Sequence, residues 1–248
     1  MKVITLMTDF GELDPYVGVM KGVILKRTIE ATIVDITHSI GMGDVRTAAF
    51  FLRYYPAYFP KGSVHIIVVD PGVGGERRAL VNEKDGSYFV APDNGVLTPV
   101  LGRVYEIKKY TFTSNTFHGR DVFAPAAADI VRGIHLSKIG KMIKNPIKIK
   151  MPEPVVENSV INGEVMHIDH FGNIITNIDS KFLQGKVEIL YKSNIIDIAE
   201  FYSQKEENEP LGVINSYGLL EISINEGSAA KIFKARVGDK VVVRRKNE

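Results

Sequence analysis

Asp70 ends an apolar, β-branched run, Ser63-Val64-His65-Ile66-Ile67-Val68-Val69, and is followed by Pro71, Gly72, Gly74 and Gly75. Pro71 fixes φ, and the glycines permit a tight turn that brings backbone close to a ligand. Arg77 lies just past this turn, where it can fold back onto Asp70. Such a pair can orient and polarise a small polar molecule, or it can be a structural ion pair, because ion-pair networks gather the same residues. Similar groups recur at other breaks in apolar runs: Asp9 in Thr8-Asp9-Phe10-Gly11, His38 in Asp35-Ile36-Thr37-His38, His118 in Phe117-His118-Gly119-Arg120-Asp121, and Asp169 with Asn173 in Ile168-Asp169-His170-Phe171-Gly172-Asn173. Each has a plainer reading. Asp9 and Asp35 can cap helices or turns, and His38 reads best as a hydrogen-bonded structural histidine. His118 can be a helix N-terminal residue without chemistry, and Asp169 and Asn173 can shape a hairpin corner.

The elements that must position these groups follow from pattern. Residues 3–7 and 63–69 read as buried strands, and residues 32–36 as a further strand. Residues 16–25 carry apolar side chains at helical spacing, with Asp14-Pro15 as N-cap and first-turn proline, and residues 44–55 form a second helix. The β-α-β-α-β order predicts a parallel or mostly parallel sheet with helices on its faces, which puts Asp9, His38 and Asp70 along one rim of strand ends. Residues 78–82 and 87–91 form a hairpin about Asp85-Gly86, residues 96–101 a short helix, and His118 precedes an alanine-rich helix over 123–131. Residues 145–154 are proline-spaced and polar, and read as an extended linker. Beyond it, short strand patterns at 160–169, 187–191, 219–224 and 240–243 run with no strong helix between them, predicting an antiparallel barrel or sandwich. The reading is therefore an N-terminal α/β domain over 1–150 and a C-terminal antiparallel β-barrel over 151–248, with the basic end, 244–248, as a solvated tail.

Composition narrows the function classes. A chain of 248 residues suffices for one large or two small domains. A net charge of +2 gives no global attraction to nucleic acid. Without cysteine there is no disulfide, thiolate metal site or cysteine nucleophile, which fits a cytoplasmic protein. The first residues reach Asp9 too soon for a signal-peptide core, and no apolar run is long enough to span a bilayer.

Taken together and in order, the motifs quoted above, with Asn215-Ser216-Tyr217-Gly218, resemble the S-adenosylmethionine hydroxide adenosyltransferase family, relatives of the bacterial fluorinase and chlorinase. The resemblance runs from residue 3 to about 230 and implies an N-terminal α/β domain and a C-terminal β-barrel. It implies that water cleaves S-adenosylmethionine at C5′ to give adenosine and methionine, with no cofactor and no metal. It carries the catalytic aspartate, arginine and histidine to Asp70, Arg77 and His118, and the ribose-binding carboxylate to Asp9. Asp169 matches the group that takes the methionine ammonium, Ser216 the one that grips its carboxylate, and Asn173 the adenine-edge amide. Backbone near Asn225 and Glu226 would meet the adenine, with Phe171 and Tyr202 as aromatic contacts or core residues. The family pattern also implies a homotrimer with the site at the subunit interface. Where the halogenating relatives carry a tryptophan and an arginine, this chain has Ile175 and Tyr217.

The chemistry is consistent with such a set. The substrate is a sulfonium cation with a neutral thioether leaving group, so no acid is needed at departure. Alignment of a nucleophile opposite sulfur is needed, and pinning both ends of the substrate supplies it. A carboxylate beside Arg77 is a weak base by itself, so His118 or Arg77 would shape the acidity of the water. Two other classes stay open at this point. One is a metal-dependent nucleotide or nucleoside hydrolase using Asp9, His38, Asp70 and His118 as ligands. The other is a non-catalytic nucleotide-binding module built on the barrel.

Overall fold

Large apolar residues on both faces bury the two strands over residues 3–8 and 64–68, as strands of a parallel sheet covered on two sides must. In the computed structural model, which describes residues 2–111 and 113–245, β1 (Lys2–Thr8) turns Ile4 and Leu6 to one core and Met7 to another. The chain divides into two units, Met1–Met151 and Pro152–Glu248.

In the first unit, α1 (Tyr16–Arg27) starts directly after Pro15. Pro15 is itself the N-cap and no side chain caps the helix, so Asp14 does not cap and the proline stands one position earlier than expected. β2 (Ala31–Thr37) leads to α2 (Val45–Leu52), capped by Asp44, whose Oδ1 accepts from the Thr47 N–H at 2.9 Å. This helix is shorter than expected. The chain tightens into a 3₁₀ turn at Tyr55–Tyr58, where Pro56 has no N–H to continue an α-helix. β3 (Val64–Val68) follows, then β4 (Ala79–Lys84) and β5 (Ser87–Pro92), a hairpin whose turn residues Asp85 and Gly86 both have positive φ, 52° and 80°. That is the type I′ geometry suited to strand twist. The helix expected over 96–101 is only a 3₁₀ turn, Thr98–Val100. β6 (Arg103–Ile107), α3 (Ala124–Val131) and β7 (Gly140–Ile143) complete the unit; the two strands were not anticipated.

The sheet order is β2-β1-β3-β5-β4-β6-β7. Its first three pairings are parallel and the other three antiparallel. Met20 and Ile24 of α1, Phe123 just before α3, and Ala124, Ala127 and Ile130 of α3 pack with Ile4, Leu6, Ile66 and Val68. Ala48 and Leu52 of α2 pack with Met7, Ile67 and Phe89 on the other side. Adjacent parallel β2, β1 and β3 bring the loops bearing His38, Asp9 and Asp70 to one rim.

The second unit contains β8 (Val155–Glu157), β9 (Val160–Ile168), β10 (Ile174–Asp179), β11 (Val187–Tyr191), β12 (Asn194–Ile196), β13 (Pro210–Ile214), β14 (Leu219–Ile224), α4 (Ala229–Phe233) and β15 (Lys240–Arg245). The strands run in the order β12-β11-β15-β9-β10-β14-β13, all antiparallel, with β8 added on β9. Just past β12, Ile198 bridges Gly212 of β13, and Gly212 donates to the Asp197 carbonyl at 2.9 Å. This parallel bridge brings the two ends of the curved antiparallel sheet together, nearly closing it into a barrel around Ile161, Val165, Ile174, Ile189, Leu220 and Ile222. α4 is too short to show helical periodicity in sequence; Ser228 caps it. Arg244 and Arg245 belong to β15 rather than to a tail, and 246–248 lie outside the described residues. Among the described residues no helix is long and apolar enough to cross a membrane.

Candidate active site

Asp70 sits two residues beyond β3, held from behind by the Asn94 amide, which donates to the Val69 carbonyl at 2.8 Å. Two successive turns follow, Val73 N–H to Asp70 O at 3.2 Å and Gly75 N–H to Gly72 O at 3.1 Å. They bring Arg77 back onto Asp70. Arg77 Nε lies 3.0 Å from both carboxylate oxygens, and a terminal guanidinium nitrogen also donates to Oδ2. The same nitrogen reaches His118 Nδ1 at 2.8 Å. The side chains of Asp70 and Arg77 are 5% and 10% exposed, and the guanidinium lies over the Phe123 ring at 5.4 Å.

This geometry fixes the state of the histidine. A guanidinium has only donors, so His118 Nδ1 accepts and carries no proton; the neutral ring then bears its proton on Nε2. Burial lowers the His118 pKa below the ordinary histidine value and the Arg77 charge lowers it further, while Asp70 and Asp121 oppose them. His118 stands at the head of a π-helical turn, Gly119–Phe123, that runs into α3. Such turns are rare and gather at functional sites.

Elsewhere on the rim, Asp9 Oδ2 accepts from the Gly43 N–H at 2.9 Å, so Asp9 also fastens the loop after β2. His38 bonds Thr8 Oγ1 through Nδ1 at 2.9 Å and lies 3.1 Å from Asp35 through Nε2. Both Asp70 oxygens and His118 Nδ1 are thus taken up by Arg77, and His38 Nδ1 by Thr8. Among the described residues no cluster of three or more histidine or acidic side chains is arranged to hold a metal ion.

The second unit carries its own group. The corner between β9 and β10 is knotted by Asp169, whose Oδ1 accepts from the N–H groups of Phe171 (2.9 Å) and Asn173 (2.8 Å) and whose Oδ2 accepts from the Asn173 side-chain amide (3.0 Å). Asp169 and Asn173 do shape a hairpin corner, whatever else they do. Phe171 projects from it, 74% exposed. The corner rests on α4 through Ala230 N–H to Gly172 O at 2.8 Å, which sets Glu226, on a left-handed turn with φ 53°, close by in the chain. Tyr202, 44% exposed, donates its hydroxyl to buried Glu221 at 2.8 Å, and Ser223 donates to the same oxygen at 2.9 Å. Burial, then Glu221, then Asp169 push the Tyr202 hydroxyl pKa up, so the phenol stays a donor and Asp169 is near enough to act on it. Ser216 is different. Ile174 pairs with Ile222 while Asp179 pairs with Leu219, so the Asn215–Gly218 turn, with Ser216 exposed, lies at the other end of β14 from the Asp169 corner. Asn94 and Glu221 were not singled out in the sequence. Asn94 lies in a turn-rich loop that gave a weak signal, and Glu221 is a lone acid within an apolar strand.

Comparison with known proteins gives this arrangement its context. Residues 4–140 match the model of the SAM hydroxide adenosyltransferase N-terminal domain, and residues 163–242 match that of the C-terminal domain. The chain is 37% identical to an (R)-S-adenosyl-L-methionine hydrolase of Methanocaldococcus jannaschii, covering 98% of this chain and 96% of that protein. It is 33% identical to a protein of the same name from Thermus thermophilus, over 96% and 98% of the two chains. Its fold is similar to the crystal structure of an uncharacterized conserved protein from Thermotoga maritima, with a TM-score of 0.91, 36% identity and coverage of 99% and 100%. With both of its units matched by the family's two domain models and full-length relatives above 30% identity, the chain belongs to the SAM hydroxide adenosyltransferase family.

Proposed function

We propose that this protein hydrolyses S-adenosyl-L-methionine, in the (R) form that its relatives' names carry, to adenosine and L-methionine. The observation that carries the reading is the Asp70–Arg77–His118 array. A water oxygen attacks C5′ in line with sulfur, the C5′–S bond breaks, and its electron pair neutralises the sulfonium. The leaving group is neutral, so the reaction needs neither metal nor cofactor. The water must lose one proton. His118 cannot accept it, because Nδ1 is occupied by Arg77 and Nε2 already carries hydrogen. Asp70 therefore takes the hydrogen bond from water and passes the proton to solvent, while Arg77 and the His118 Nε2–H favour the developing hydroxide.

In this reading Asp9 meets the ribose, Asp169 the methionine ammonium, Asn173 and backbone at Glu226 the adenine, with Phe171 and Tyr202 as aromatic contacts. Ser216, at the far end of β14 from Asp169, stays outside this set, because the ammonium and carboxylate of one methionine are attached to the same carbon. The reading includes a homotrimer with the site between subunits. Exposed apolar Leu13, Met42 and Val73 beside the Asp9 and Asp70 loops, and Phe171 beside Asp169, support an interface at each half of the site. A cytoplasmic location belongs to the same reading and suits a cysteine-free chain.

The test is incubation with S-adenosylmethionine, with and without chelator, followed by mass analysis. Equimolar adenosine and methionine, formed equally in both samples, is the expected result; no cleavage, or cleavage only without chelator, contradicts it.

A further inference from the structure

We propose that Asp121 is a positioning residue for the water-activating array: it fastens the loop that presents His118 and braces the Asp70–Arg77 turn. The proposal rests on the function proposed above. Asp121 Oδ2 accepts from Thr113 N–H at 2.8 Å, Ser114 N–H at 3.0 Å and Thr113 Oγ1 at 3.0 Å. Arg120 forks onto the same carboxylate, Nε to Oδ1 at 2.6 Å and a terminal nitrogen to Oδ2 at 3.0 Å, and bonds Thr113 Oγ1 at 2.9 Å. The carboxylate is only 8% exposed. Arg120 chiefly holds its pKa down, to about 2, with Thr113 and Ser114 assisting against burial, so it is ionised under all ordinary conditions. Only a carboxylate offers enough acceptor sites for two adjacent N–H groups, a hydroxyl and a guanidinium fork together.

The segment so fastened touches each part of the first unit's half-site. At Gly74, φ is +78° and a Cβ would stand 2.4 Å from the Asn115 carbonyl oxygen, so the Asp70–Arg77 turn is seated directly against this loop. Phe117 packs edge-on against Phe10 (6.0 Å) and Tyr16 (5.3 Å), next to Asp9, with Arg120 over its ring at 5.3 Å. His118 follows Phe117, and Asp121 N–H closes the first turn on the Phe117 carbonyl at 3.2 Å. Asp121 places its hydrogen bonds on Thr113, Ser114 and Arg120. It acts through the loop.

The test combines Asp121→Ala, His118→Ala, the double variant, and an NMR titration of the His118 ring. The groups acting on that ring are Arg77, Asp70 and Asp121. Releasing the loop exposes the ring and parts it from Arg77, and both changes raise its midpoint. Loss of the Asp121 charge lowers it, but that is the smallest of the four influences. The expected result is an upward shift of the His118 midpoint, at least about a tenfold fall in kcat with KM within about threefold, and less than about a twofold further loss when Asp121→Ala is added to His118→Ala. Should the alanine variant not fold, Asp121→Asn keeps the size and the loop N–H bonds but turns an amide N–H towards Arg120; it should show the same signs at roughly a third of the effect. An unmoved His118 midpoint in a folded variant, or a full additional loss on top of His118→Ala, overturns the proposal. The titration needs no substrate, so a wild-type protein that fails to cleave S-adenosylmethionine refutes the proposed function while the midpoint still decides the role of Asp121.

Discussion

Arg77 makes the array directional, since it bonds both a carboxylate and a histidine nitrogen while offering donors only. In the proposed reaction Asp70, Arg77 and His118 act on water rather than on substrate. Their alanine variants should therefore lose about 10²- to 10⁴-fold in kcat with much smaller changes in KM, whereas Asp9→Ala and Asn173→Ala should raise KM as well. Near-normal turnover in Asp70→Ala, measured at saturating substrate, would remove Asp70 from its central place. Arg77→Lys should fail almost as badly as alanine, since a single ammonium nitrogen lacks the planar fork that meets the carboxylate through two nitrogens while reaching the imidazole. The array also sets a pH dependence. His118 must be neutral to accept from Arg77, and its pKa lies below the ordinary value of about 6.5. kcat/KM should fall on acidification with a midpoint below about 6.5 and show no histidine-linked loss above it; a loss of activity as pH rises from 6.5 to 8 would contradict the assigned tautomer.

At the level of elements, β3 carries a buried histidine that bears on stability. His65 is fully buried, bonds Thr5 Oγ1 at 2.8 Å and stacks on Phe89. Burial pushes its pKa down to about 4. The folded state thus binds this proton less readily than the unfolded chain, whose histidine titrates near 6.5. The stabilisation is whole above about 6.5 and is lost as pH falls towards 4, to an extent of roughly 3 kcal/mol. Urea unfolding at pH 7 and pH 4.5 should show most of that loss; a flat profile would mean that His65 is not held neutral. The sequence showed β3 as an unbroken apolar run, and Asp70, Arg77 and His118 could be read because each stands where such a run ends or a glycine turn begins. β6 and β7 were missed because short strands at the antiparallel side of the sheet lack long apolar runs. Asp121 was part of a quoted motif, but its work is to accept from Thr113 and Ser114, and backbone partners leave no mark in residue type. Likewise no pattern could show that Ser216 lies at the far end of β14 from Asp169, since that depends on register.

On the scale of the whole molecule, the candidate groups are divided between the two units, and each half is flanked by exposed apolar side chains, Leu13 and Met42 on one and Phe171 on the other. A trimer that joins half-sites from neighbouring copies should lose activity on dilution to monomer, with light scattering and turnover falling together; a fully active monomer would sink the interface proposal. The nature of the nucleophile is the central claim. A carboxylate within about 4 Å of a halide repels it by roughly 4 kcal/mol at an effective dielectric of 20, about a thousandfold in occupancy, offset in part by Arg77. Water carries no charge to repel and can donate to Asp70. The most direct measurement is turnover of S-adenosylmethionine in ¹⁸O-labelled water with chloride present, followed by mass analysis of the nucleoside. The account predicts label in the adenosine 5′-hydroxyl and little or no halogenated product; unlabelled adenosine, or 5′-chloro-5′-deoxyadenosine as the main product, would contradict it.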